Sequence, residues 1–114
     1  MKDDRLYLLH ISECIATIEE YTEGGEGAFF KDRKTQDAVL RNLQIMAESS
    51  QRLSSQLRDS HPEMDWRKIA GFRNVLVHDY LGINIRLVWG IVTRDLPVLK
   101  QRISAMLADV PGPQ

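Results

Sequence analysis

The segment Gly71-Phe72-Arg73-Asn74-Val75-Leu76-Val77-His78-Asp79-Tyr80 sets a guanidinium, an imidazole and a phenol along one apolar turn of chain. A histidine titrating near neutrality can take the proton of an RNA 2′-hydroxyl, and an always-charged arginine can hold a phosphate and steady the charge that develops on it. Such a pair would cut RNA without a metal and leave a 2′,3′-cyclic phosphate. The three histidines are scattered at positions 10, 61 and 78. No HxxxH, CxxC or carboxylate cluster has metal-ligand spacing, so no protein-bound metal is expected.

In an ideal helix a separation of five residues is roughly 140° around the axis and about 7.5 Å along it, so Arg73 and His78 of one chain make a poor pair. If the helix ends near His78 and two copies pack about a two-fold axis, the arginines and histidines of both can converge in one cleft. On residue type alone, simpler readings stand beside this one. Arg73 reads as a surface arginine in an ion pair, His78 as a helix-end histidine favoured by the macrodipole, and Tyr80 as an amphipathic residue with a wet hydroxyl. Asp79 reads as a solvated helix-end acid. Arg67, Lys68 and Arg86 flank the segment and are candidate contacts to RNA phosphates, or plain solvated charges.

The elements that must carry these residues read as helices. Tyr7, Ile11, Cys14, Ile18 and Tyr21 recur at steps of four and three, which predicts a helix from Asp3 to about Thr22 with Asp3 or Asp4 as cap. The glycines of Glu23-Gly24-Gly25-Glu26-Gly27 predict a loop to about Arg33, with Phe29 and Phe30 turned inward. Val39, Leu43, Met46, Ser50, Leu53 and Leu57 predict a second helix over Thr35 to Leu57. His61-Pro62 ends it, and Asp65 can cap a third helix from Trp66 to about Val77. A last stripe runs from Ile85 through Val88, Trp89, Val92, Leu96, Leu99 and Ile103 to Met106. Pro97 interrupts that stripe, so a kink or two helices end to end are expected, with Asp95 capping the second. No segment alternates with period two. The expected fold is all-α, an antiparallel bundle of four or five helices over residues 1–109, followed by a flexible tail over 110–114.

Composition bounds the rest. At 114 residues and 43% hydrophobic, the chain can bury a core without staples. The lone Cys14 can form no internal disulfide, no signal-like apolar segment opens the chain, and no apolar run approaches a membrane span. A reducing cytoplasm is therefore expected, with no membrane partner. Fifteen Lys and Arg against 16 Asp and Glu give a formal charge of -1, so there is no polycationic field and any RNA site must be local.

Taken together, Arg73, four residues, His78, one residue and Tyr80 resemble the R-x-x-x-x-H-x-Y signature of the HepT family within the HEPN superfamily. Asn74 after the arginine, Val77 before the histidine, Trp66 and Ile69 upstream, and the later Val88-Trp89 and Asp95-Leu96-Pro97 extend the likeness over nearly the whole chain. The resemblance implies a homodimeric HEPN ribonuclease toxin in which Arg73 and His78 are catalytic and Asn74 supports them. It implies as partner an MntA-like nucleotidyltransferase antitoxin, which spends ATP to adenylylate Tyr80 beside the RNA cleft; the chain itself needs no cofactor. HEPN domains also occur as non-catalytic nucleotide- or substrate-binding partners of nucleotidyltransferases, which is the alternative reading.

Overall fold

The computed structural model describes residues 3–74 and 84–110, and all regular structure among them is helical. The elements are α1 (Asp4–Tyr21), α2 (Gly25–Lys31), α3 (Arg33–Arg52), α4 (Ser55–Asp59), α5 (Trp66–Gly71), α6 (Ile85–Gly90), a π-helical turn (Ile91–Asp95) and α7 (Leu96–Asp109). The all-α class expected from the periodicity is the class observed.

α1 packs along α3 and also against α7. Leu8, Ile11, Ile15 and Ile18 of α1 meet Val39, Leu43 and Met46 of α3 and Leu96, Ile103 and Met106 of α7 in one core, each 2% exposed or less. The stripe on α1 is wider than the four-and-three spacing implied. It takes in Leu8 and Ile15 and leaves Tyr21 46% exposed. Cys14 lies in this core, and burial pushes its thiol pKa up to about 11.

Asp3 caps α1 as expected, its Oδ1 accepting from the Leu6 amide. The glycine-rich segment departs from expectation. Instead of a loop to Arg33, Gly25 makes the turn at φ +87° and the chain re-enters a helix at once. Tertiary burial outweighs the weak propensity: Phe29 is 1% exposed and its ring lies 5.0 Å from that of Trp89, while Phe30 stays at the surface. Asp32 then caps α3, accepting from Lys34 N, Thr35 N and Thr35 Oγ1. Those bonds, led by the Thr35 hydroxyl, hold its carboxyl below the usual range.

α3 does not continue to Leu57. At Leu53 and Ser54 ψ swings to 148° and 150°, and Ser54 Oγ caps α4 by accepting from Leu57 N. The break is fixed from far away in sequence. Asp4 accepts from Ser54 N at 2.8 Å through Oδ1 and from Ser54 Oγ at 2.7 Å through Oδ2. Leu53 remains buried across the break, so the apolar register survives the change of direction.

The two helices expected end to end around Pro97 are observed as α6 and α7, but they are joined by the π-helical turn and not by a fresh cap. Gly90, Ile91, Asp95 and Leu96 all keep right-handed helical angles, and the Leu96 amide donates to Ile91 O, five residues back. The widened turn takes up the proline, whose ring would collide with the carbonyl four residues before it in a regular α-helix. It also lets Ile91 and Leu96, five apart, both face the core. Asp95 caps nothing; its carboxylate accepts from Lys68. At the far end of α7, Arg5 Nη1 donates to Leu107 O at 3.2 Å and Val110 O at 3.1 Å, capping the helix with a cation. Val110, assigned above to the tail, packs on the core; residues 111–114 lie outside the described residues.

Asp4→Ala removes the acceptor of two part-buried bonds and should destabilise the protein by about 1–3 kcal/mol in urea titration, since each orphaned donor keeps its desolvation cost. A change below about 0.5 kcal/mol would show that the Asp4–Ser54 contact does not hold the α3–α4 break.

Candidate functional site

α5 is a short helix, too short to be stable on its own propensity, so what holds it is packing and capping. Asp65 caps it, with Oδ1 accepting from Lys68 N at 3.0 Å. Trp66, half-buried, donates its indole N–H to both Arg58 O at 3.1 Å and His61 O at 3.2 Å, which pins the start of α5 to the end of α4. Ile69 and Phe72, at 2% and 3% exposure, anchor its inner face against α3. Ahead of Trp66, His61 Nδ1 lies 2.9 Å from Glu63 Oε2, and that bond holds the Glu63 carboxyl below the usual range.

Arg73 and Asn74 follow α5, and both are exposed. The helix closes earlier than Val77: the Phe72 amide reaches Ile69 O and the Arg73 amide reaches Ala70 O, a tightened last turn. Arg73 Nη1 donates to Gln51 Oε1 at 3.3 Å, a neutral acceptor on α3, and no carboxylate among the described residues pairs with it. Among the described residues, the ion pair expected of a plain surface arginine is replaced by this contact to a neutral amide. His78, Asp79 and Tyr80 lie outside the described residues, as does Val77.

The three candidate RNA contacts separate. Lys68 donates to Asp95 Oδ1 at 3.1 Å and lines a cleft of about 300 Å³ between α5 and α7. Arg86, on α6, borders a second cavity of about 340 Å³ with Phe30, Asn84 and Ile85. Arg67 is exposed and lines neither. Three residues near the site escaped the reading of the sequence: Gln51, which meets Arg73, and Arg94 and Arg102, which line the first cleft. The last two had a signal, because Arg94, Val98 and Arg102 recur every four residues outside the apolar stripe; Gln51 had none. Among the described residues no group of three His, Cys, Asp or Glu is placed to hold a metal ion, and no helix is long and apolar enough to cross a membrane.

An all-helical domain that exposes Arg73, with no carboxylate partner among the described residues, at the head of an R-x-x-x-x-H-x-Y segment agrees with the class of HEPN-type ribonucleases. Residues 11–106 match the family described as Ribonuclease HepT-like, and the chain belongs to that family. It is similar to the "Probable ribonuclease HepT" of Thermococcus cleftensis, 40% identical over 101 residues covering 88% of this chain and 92% of the relative. It is also similar to the "Gamma-glutamylcyclotransferase and putative RNase" of Methanocaldococcus jannaschii, 36% identical over 110 residues. That match covers 96% of this chain and spans half, 50%, of the relative. A "Putative RNase" of Caldanaerobacter subterraneus subsp. tengcongensis is 34% identical over 108 residues, covering 94% of this chain and 96% of its own. No solved structure matches the chain.

Trp66→Phe keeps the ring and removes the indole donor; it should cost about 1 kcal/mol in urea titration, because two part-buried carbonyls each lose one donor and keep their backbone amides, those of His61 and Met64. Gln51→Ala, at the exposed contact to Arg73, should change stability by less than about 0.5 kcal/mol. An equal loss from both would make the Arg73–Gln51 contact part of the scaffold.

Proposed function

We propose that the chain is the RNA-cleaving toxin of a toxin–antitoxin pair, a metal-independent endoribonuclease whose composite site forms where two copies meet. The observation that carries this reading is Arg73: buried Ile69 and Phe72 hold its base, its side chain is exposed, and no described acid cancels its charge, within a chain of the HepT-like ribonuclease family. An arginine left uncompensated is available to phosphate, bidentately.

In the proposed reaction His78 takes the 2′-hydroxyl proton as that oxygen attacks the adjacent phosphorus. The P–O5′ bond breaks, and the leaving 5′-oxygen takes up a proton, giving a 2′,3′-cyclic phosphate and a 5′-hydroxyl. Arg73 holds the non-bridging oxygens as charge builds on them. Asn74, next to Arg73 and exposed, is placed in sequence to support the pair, and two-fold pairing of the chain brings one copy's Arg73 toward the other's His78. An MntA-like nucleotidyltransferase is the proposed antitoxin. Adenylylation of Tyr80 with its ATP would add volume and negative charge where substrate phosphate must sit. Arg67, Lys68 and Arg86 are proposed phosphate contacts, with Lys68 having to share its ammonium with Asp95.

The test is cleavage of end-labelled cellular RNA by antitoxin-free protein in EDTA. Wild type should generate cyclic phosphate ends, and Arg73→Ala and His78→Ala should each lower the rate at least about 100-fold with the fold intact. Full cleavage by His78→Ala overturns the mechanism, and inactivity of the unmodified wild type favours a nucleotide-binding partner instead. On co-expression with the cognate nucleotidyltransferase, intact mass should rise by one or more AMP units, and Tyr80→Phe should abolish the gain. The same gain on Tyr80→Phe protein would exclude Tyr80 as the target.

A further inference from the structure

The cleft between α5 and α7 has a construction that the cleavage chemistry does not account for. Met64, Ile69, Phe72 and Leu99, all buried, form an apolar floor, and Val98 stands beside them 47% exposed. Two carboxylates face the cleft, and both are engaged: Asp65 by the Lys68 amide and Asp95 by the Lys68 ammonium. Arg94 and Arg102 remain, one helical turn to either side of Val98 along the same rim. Arg94 lies folded back over Gly90, where a Cβ would come within 2.5 Å of its Nη2, so the absence of a side chain at position 90 gives the guanidinium its place. Arg102 stands near enough to Glu63 to help hold that carboxyl low, but the closer partner of Glu63 is His61.

A nucleotide within a single strand has this same pattern, an apolar face between two phosphates. We propose that the cleft is a seat for one unstacked nucleotide of single-stranded RNA, with the base on Val98 and the floor and its flanking phosphates at Arg94 and Arg102. The seat rests on the ribonuclease reading and extends it, because Phe72 in the floor directly precedes Arg73. A strand lying in the cleft is thereby led toward the proposed cutting arginine. Unpaired bases offer a face to such a surface and duplex bases do not, so the seat selects single-stranded or looped RNA.

The probe is a short fluorescein-labelled single-stranded RNA carrying 2′-O-methyl groups, which can bind but lacks the attacking hydroxyl. Binding is followed by anisotropy, and KM and kcat are measured in parallel on the unmodified strand. The double variant R94Q/R102Q should weaken probe binding and raise KM about tenfold, with kcat nearly unchanged and a shallower salt dependence, as expected for two lost phosphate contacts. Val98→Glu, at an exposed helical position, should weaken binding comparably by filling the seat and repelling phosphate. R33Q/K34Q removes the same charge at the start of α3, the end away from Gln51, and should change binding less than about twofold. Unchanged binding and KM in R94Q/R102Q, or an equal loss in R33Q/K34Q, would overturn the seat while leaving ribonuclease activity standing. A wild type that binds the probe through the two arginines yet cuts nothing would uphold the seat and defeat the catalytic reading. A shift in oligomeric state with RNA binding unaltered would make the cleft a protein interface and overturn it.

Discussion

One carboxylate governs the layout of the chain. Asp4, in the first turn of α1, takes both the amide and the hydroxyl of Ser54, fifty positions later, and so decides where the long third helix stops. Because Ser54 is held in an extended conformation it can turn its oxygen to cap α4, and α4 in turn offers the Arg58 carbonyl to the Trp66 indole. That indole fixes α5; α5 buries Phe72; and Phe72 leaves the next residue, Arg73, at the surface. Position at the candidate site is thus inherited through a short series of polar bonds, each joining a helix end to the next element, laid over a core that is itself apolar and indifferent to direction.

How much of this the sequence revealed follows from the kind of force involved. The apolar stripes of α1, α3 and α7 were legible because burial writes itself at helical spacing, and even Ser50, an unlikely core residue by type, fell into register and lies buried with its hydroxyl on Ala47 O. The Asp3 and Asp65 caps were legible because capping is local. The α3–α4 break was not, since its cause sits fifty residues away. Helix α2 was hidden by its glycines, whose weak propensity is offset by the docking of Phe29 on Trp89, again a contact between distant parts of the chain. The R-x-x-x-x-H-x-Y segment could be read as chemistry from residue types and spacing, whereas the neutral partner Gln51 needed the fold to bring α3 beside Arg73.

The electrostatics agree with a chain of nearly balanced charge. Instead of a broad positive field, the molecule presents single cations in distinct settings: Arg5 spent on the end of α7, Lys68 on Asp95, Lys100 on Glu19, and Arg73 on a neutral amide. Of these four, Arg73 alone meets neither a carboxylate nor a helix end among the described residues, so what distinguishes it is its setting and not the number of charges the chain carries.

The π turn at Ile91–Asp95 acts as a phase adjuster between two helical rods. Against a regular helix it holds one residue in surplus, and that surplus sets the rotation of α6 relative to α7. Were the surplus removed, by shortening the turn at exposed Thr93, the backbone could relax to an ordinary helix only by turning α6 about its axis by roughly 100°. Val88 would leave the core and the Trp89 ring would lose Phe29. A single-residue count in a helix thus acts as an angular setting for the end of the molecule that carries Arg86.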